Sequence, residues 1–234
     1  MDTIIKENSV EPSFQAVPKT LPTAFFSPSH NQTIPVGRYL PIKRAIDLIA
    51  AFVLTLTVLS WLYPIMFLLI RLSSRGNAIF IQKRIGKNGK VFNCYKFRTM
   101  YVNNDADTRE AQLNDKRITR IGKWLRNTYI DELPQLINVL MGDMSLIGPR
   151  PHMLHHHYEF CARIPSYDRR HIVKPGITGL SQAKGYHGSM HHSYGIHGRT
   201  RLDLFYLKKM SLKLDTIILI KTALTILQFD KRRK

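Results

Sequence analysis

The chain has 234 residues, room for one medium domain with appendages or for two small ones. Lys and Arg number 35 against 16 Asp and Glu, a formal charge of +19 that calls for an anionic partner: nucleic acid, an anionic membrane face or a phosphorylated substrate. The two cysteines, Cys94 and Cys161, offer neither a disulfide framework nor a CxxC spacing and fit a reducing compartment.

Residues 1–40 carry Pro12, Pro18, Pro22, Pro28 and Pro35 among Ser, Thr and Asn, with no steady period, and read as a disordered segment. Acids and prolines stand where a secretory signal would have its apolar stretch. Residues 41–75 form the next unit. From Leu48 to Ile70 no residue is charged, and these 23 residues are long enough for a bilayer span. Lys43 and Arg44 flank one side, and Arg71, Arg75, Lys83 and Arg84 the other. The positive-inside tendency wants both ends cytoplasmic, which one straight span cannot satisfy. Pro64 breaks the helical hydrogen-bond ladder. Two readings stand: a re-entrant helix–break–helix, and an ordinary span with a tolerated kink.

Residues 76–227 make the main domain. "AIFIQKRIG" and "KVFNCYKFRTM" flank Asn88-Gly89, a type I′ turn signal, and predict a β-hairpin. Cys94, Lys96 and Arg98 share a strand face, either to grip phosphates or as a charged, solvated edge. Residues 103–117 read as polar helix or loop. "RITRIGKWLRNT" follows, a basic amphipathic helix with Ile118, Ile121 and Leu125 on its apolar stripe. Pro149-Arg150-Pro151 fixes the backbone on both sides of one arginine, as a phosphate site or as a plain rigid turn. Residues 152–200 are rich in Gly and His. His155, His156, His157, His187, His191, His192 and His197 show no HExxH spacing. From Arg201 to Leu227 apolar residues recur at helical intervals, and 228–234 is a basic tail; together they suit an interfacial helix against anionic lipid.

"TYIDELPQLINVL" (128–140) sets Asp131 beside Glu132 at the start of an apolar helical pattern. The structural reading makes Thr128 and Asp131 a capping box and Pro134 a first-turn proline. The chemical reading uses the same place. A helix start attracts phosphate, two acids repel it, and a divalent cation reconciles them. One carboxylate then holds metal while its neighbour attacks phosphorus.

Five ordered blocks resemble one family: "KRAIDL" (43–48), "AIFIQKRIGKNGKVFNCYKFRTM" (78–100), "RITRIGKWLRNTYIDELPQLINVLMGDMSLIGPRP" (117–151), "KPGITGLSQAKG" (174–185) and "RLDLFYLKKMSLKLDTIILIKT" (201–222). They resemble the bacterial sugar transferases, the monotopic polyprenyl-phosphate phosphoglycosyl transferases. The resemblance implies transfer of a sugar 1-phosphate from a UDP-sugar to undecaprenyl phosphate with release of UMP, the first membrane step of exopolysaccharide, capsule or glycan assembly. It implies Mg²⁺ and a ping-pong route through a covalent aspartyl-phosphosugar. Asp131 matches the nucleophile and Glu132 its partner at the metal. Arg126 matches a phosphate-binding arginine. Lys96, Arg98 and Arg150 fall on recurrent positions placed around nucleotide or phosphates, and Asp203 on a further recurrent acid. Pro64 matches the break of a re-entrant hairpin. The implied fold is α/β, mainly α: a re-entrant membrane helix hairpin plus a compact cytoplasmic catalytic domain with a small β-hairpin and interfacial amphipathic helices. The implied place is the cytoplasmic face of the bacterial inner membrane. Larger members carry extra N-terminal spans, which residues 1–40 do not supply, so the compact form is expected. Anionic lipid is a further expected partner. Downstream glycosyltransferases and a second copy of the chain stay open as partners, and no nucleic-acid motif appears. A tethered polyanion binder and a zinc hydrolase built on the histidines are the competing classes.

Overall fold

The computed structural model describes residues 39–229 apart from 104, 106–108, 113–114 and 187–192. The predicted disordered segment therefore lies outside the described residues up to 38, and so do His187, His191, His192 and residues 230–234.

Helix α1 (Tyr39–Leu54) begins two residues before the predicted boundary, passes through a π-helical turn at Thr55–Leu59 and continues as α2 (Ser60–Ser73). Pro64 sits inside α2. Regular α-helical geometry is thus lost one turn ahead of the proline, and the helix runs on past it; a hairpin reversal at Pro64 is not seen. The apolar stretch brings its own hydrogen-bond partners. The side chains of Thr57, Ser60 and Trp61 donate to the carbonyls of Val53, Leu56 and Thr57 at 2.6–2.7 Å. Internal satisfaction of this kind is what a lipid-exposed helix requires.

One stripe along α1 and α2 is buried: Lys43, Asp47 and Ala51, then Leu59, Met66 and Ile70. The opposite face leaves Ile49, Phe52, Leu56, Trp61, Leu68 and Leu72 exposed, an apolar surface far larger than soluble proteins show. Both ends of this long helix are fastened to the same body. At the first end Lys43 Nζ lies 2.7 Å from Asp215, and Asp47 accepts from Ser145 Oγ at 2.6 Å. Arg44 donates to the Val139 carbonyl at 2.8 Å. At the other end Arg98 donates to the carbonyls of Ser74 and Arg75.

The hairpin pairs β1 (Ile79–Ile85) antiparallel to β2 (Val91–Phe97), Ile79 facing Phe97 and Ile85 facing Val91. Asn88 (φ 53°) and Gly89 (φ 74°) both have positive φ, as the predicted type I′ turn requires. Helix α3 (Arg120–Thr128) starts where Thr119 Oγ1 accepts from Gly122 N at 2.8 Å. Its buried Leu125 joins Met66, Ile70 and Phe97 in one cluster. A one-turn 3₁₀ segment, Ile130–Glu132, leads to α4 (Gln135–Met141), which ends on Gly142 at φ 93°. Leu136 and Val139 of α4 pack with Ala51, Phe92, Cys94 and Met144.

Beyond the predicted hairpin there is a second, parallel pair. Strand β3 (Ser145–Ile147) meets β4 (Gly176–Thr178). A Cβ on Gly176 would stand 2.0 Å from the Gly148 nitrogen, so only glycine lets these backbones approach. Helix α5 (Leu154–Arg163) and the short α6 (Leu180–Ala183) flank this region. Helices α7 (Ser193–Lys209) and α8 (Leu212–Phe229) resolve the single C-terminal helical pattern into two. Tyr206, Leu207 and Ile218 bury against Ile147 and Val173. Exposed Ile217, Ile220 and Leu224 give α8 the outward apolar face expected of an interfacial helix.

Candidate active site

The predicted capping box does not form. Thr128 is the last residue of α3, and its hydroxyl donates back to the Trp124 and Leu125 carbonyls. Tyr129 then turns left-handed at φ 58°, unusual for a bulky residue. That turn ends α3 and swings Asp131 and Glu132 inward, both 8% exposed. Pro134 is the N-cap of α4, one position ahead of the predicted first turn.

Two devices hold this turn against the hairpin. Asn138, fully buried on α4, accepts from Tyr95 N at 3.0 Å and donates to Asn93 O at 2.7 Å, so its amide extends the β2 edge. Gly122 lets α3 press on Thr99, where a Cβ would stand 1.9 Å from the carbonyl oxygen. That approach puts Arg126 Nε 2.8 Å from Thr99 Oγ1.

The result is a cavity of about 740 Å³. Its lining carries seven cations, Arg84, Lys96, Arg98, Arg109, Arg126, Arg150 and Arg199, against the acids Glu110, Asp131 and Glu132. Lys96 Nζ and Arg150 Nη2 each stand 2.7 Å from Glu132 Oε1, and Arg150 Nη1 is 3.3 Å from Oε2. Asp131 makes no hydrogen bond or ion pair among the described residues.

The adjacent acids therefore separate. Burial and the charge of Glu132 push Asp131 up to about 6, against the opposing pull of Lys96, Arg126 and Arg150. Burial also works to raise Glu132, but Arg150 and Lys96 prevail and hold it well below the usual carboxylate range. Glu132 keeps its charge at all ordinary pH, while Asp131 becomes a carboxylate only above about 6. Burial lowers Arg126, and it lowers Arg199 to about 10.

Of the predicted site residues, Asp131, Glu132, Lys96, Arg126 and Arg150 converge. Arg98 reaches the cavity wall, but its guanidinium is spent on the end of α2. Asp203 is not on the wall: it is 1% exposed behind it, paired with Arg170 at 2.7 Å. Sequence reasoning missed Arg84, Tyr129 and Arg199 in the lining; Arg84 and Tyr129 stand inside two of the matching blocks, and nothing in the pattern marks Arg199.

The described histidines of the 152–171 stretch serve packing. His152, His156, Phe160 and Tyr167 stack or meet edge-on, and burial holds His157 at about 4 and keeps His152 and His171 well below the ordinary range, hence neutral. Among the described residues no three His, Cys, Asp or Glu side chains converge as a metal cage. Two adjacent carboxylates facing a cavity nevertheless fit Mg²⁺, which takes one or two carboxylates and completes its shell with phosphate oxygens and water. Glu132 Oε2, with only the longer Arg150 contact, is the oxygen best placed to serve.

What the fold presents is one long apolar helix joined to a strongly cationic cavity that holds two unlike acids. The chain belongs to the bacterial sugar transferase family, which residues 38–229 match. It is 42% identical over 189 residues to a UDP-glucose:undecaprenyl-phosphate glucose-1-phosphate transferase of Caulobacter vibrioides, covering 80% of this chain and 70% of that one. It is 43% identical to a UDP-N-acetylgalactosamine-undecaprenyl-phosphate N-acetylgalactosaminephosphotransferase of Aeromonas hydrophila, covering 83% of this chain and 45% of that one. It is 39% identical to an exopolysaccharide production protein of Rhizobium leguminosarum, covering 82% of this chain and 98% of that one. Against several other relatives the match spans about two fifths of their length.

Proposed function

We propose that the protein transfers a sugar 1-phosphate from a UDP-sugar to undecaprenyl phosphate and releases UMP. The observation that carries this reading is the unlike pair: Asp131 is buried, unpaired and ionised above about 6, beside a Glu132 already neutralised by two cations. An unpaired carboxylate in a cationic cavity is a nucleophile waiting for an anionic electrophile.

In the first step an Asp131 oxygen attacks the sugar-bearing phosphorus. The bond from that phosphorus to the bridging oxygen breaks, and UMP leaves with the electron pair. In the second step a phosphate oxygen of undecaprenyl phosphate attacks the same phosphorus, and the Asp131 carboxylate departs. Arg126, Arg150 and Lys96 offset charge on the transferring phosphoryl group. Mg²⁺ held at Glu132 would supply further neutralisation of the phosphate oxygens.

For the membrane, we read Tyr39–Ser73 as entering and leaving by the cytoplasmic face. Support comes from both helix ends being tied to one body and from the π turn, where regular α-helical geometry is lost between them. Relatives act on UDP-glucose or UDP-N-acetylgalactosamine by name, so the sugar is read as a UDP-hexose of that group.

The test supplies membranes holding the protein with a set of UDP-sugars and undecaprenyl phosphate and follows UMP. Without acceptor, intact-protein mass spectrometry should show one sugar phosphate added to the native chain and none added to Asp131→Asn. Full turnover by Asp131→Asn sinks the reading.

A further inference from the structure

Arg150 reaches Glu132 from a segment whose carbonyls are all engaged. Gly176 N donates to Pro149 O at 3.0 Å, and Ile85 N to His152 O at 3.2 Å. The two carbonyls between them take guanidiniums: Arg170 Nη2 donates to Arg150 O at 2.7 Å, and Arg84 Nη1 to Pro151 O at 2.6 Å. Pro149 and Pro151 fix φ on either side.

Arg170 is 1% exposed and lines no part of the cavity. Its Nη2 also meets Asp203 Oδ2 at 2.7 Å, while Nη1 donates to His152 Nδ1 at 2.6 Å and Tyr167 OH at 3.0 Å. A buried arginine–aspartate pair adds little net stability over apolar side chains of the same volume. What it does supply is a planar guanidinium in a fixed orientation. The same Nη2 that meets Asp203 lies on the main chain of Arg150, one of the two cations that bridge to Glu132.

We propose that Arg170, oriented by Asp203, is a positioning residue for Arg150. It holds the Arg150 carbonyl so that the Arg150 guanidinium projects into the cavity toward Glu132 and an incoming phosphate. Asp203 on α7 is then the far end of a relay, Asp203 to Arg170 to Arg150, and touches no substrate. The catalytic consequence rests on the transferase reading; the placement of Arg150 does not.

Inorganic pyrophosphate is the probe, since a bare diphosphate reports on the cationic cavity without turnover. Calorimetry measures its affinity for full-length protein in lipid nanodiscs across a cycle of Asp203→Asn and Arg150→Lys. Side chains acting through one another show non-additive effects, so Asp203→Asn should weaken binding about tenfold in the native background and less than about twofold beside Arg150→Lys. Equal weakening in both backgrounds, or none in either, overturns the proposal. Arg170→Lys repeats the cycle should Asp203→Asn fail to fold; one ammonium nitrogen cannot serve both the Asp203–carbonyl pair held by Nη2 and the His152–Tyr167 pair held by Nη1. Release of UMP by native protein is scored separately. Non-additive pyrophosphate binding without UMP release keeps the positioning role and removes the transferase reading.

Discussion

Replacing Asp131 by Asn should stabilise the protein while abolishing its chemistry, and the gain should depend on pH. The carboxyl is pushed from 3.8 to about 6, first by burial and next by Glu132. A shift of about 2 units corresponds to about 3 kcal/mol of cost for holding the ionised form in the folded state. The folded pKa lies above the unfolded one, so the protonated acid is the form the fold favours. That contribution is fully present below 3.8 and is lost as pH rises through about 6. Asn keeps the shape and carries no charge. Native protein and variant should therefore melt close together near pH 4 and separate above pH 6. For a chain of this size, about 3 kcal/mol is a melting shift of roughly 6–12 °C at pH 8. Fluorescence of Trp61 and Trp124 during heating in lipid nanodiscs measures it. An equal gap at both pH values, or a less stable variant at pH 8, would refute the electrostatic account of this acid.

The neighbouring acid should behave in the opposite way. Glu132→Gln strands Lys96 and Arg150 in a buried setting and should destabilise by about 3 kcal/mol or more in the same assay. In the proposed route Asp131 attacks as the carboxylate, so UMP release should fall about tenfold per pH unit below its pKa of about 6. A flat profile from pH 8 down to 5 would contradict the assignment. Gly122→Ala drives a methyl into the Thr99 carbonyl and should cost about 1–3 kcal/mol, with weaker pyrophosphate binding because Arg126 moves with α3. Lys43→Met leaves Asp215 buried with two tyrosine donors and no cation; hydrogen exchange should rise along α1 and the start of α8, and unchanged protection there would contradict the anchoring role.

The legible parts of this protein were the local ones. Asn88-Gly89 can form one kind of tight hairpin turn, and it does. Leu125 and Ile121 stand at helical spacing, and α3 buries Leu125 with Ile121 packed half-buried beside the same cluster. The apolar run announces one long apolar helix because no charged residue interrupts it, and the helix forms. Where the reading went astray, a distant contact had overruled a local preference. Thr128 looks like a cap, yet Gly122 against Thr99 and the left-handed turn at Tyr129 extend α3 through it. Lys43 and Arg44 flank the apolar run, and Asp215 and the α4 carbonyls hold them, contacts that the sequence does not show. Arg98 reaches the cavity wall while its guanidinium closes α2, and Asp203 pairs with Arg170 behind the wall, placements that spacing alone does not show.

The sequence by itself determined the charge excess, the apolar helix, the hairpin and the adjacency of Asp131 and Glu132, since these depend on residue type and spacing of a few positions. Tertiary structure alone decided that the two acids differ. Lys96 stands 36 positions before Glu132 and Arg150 stands 18 after it, and both meet the same carboxylate. No local period encodes that convergence. It is set by Asn138 locking α4 to β2 and by Arg170 and Arg84 pinning the Pro149–His152 segment. Folding brings those cations to Glu132 and leaves Asp131 without an ion pair among the described residues, and the proposed roles of nucleophile and partner rest on that asymmetry.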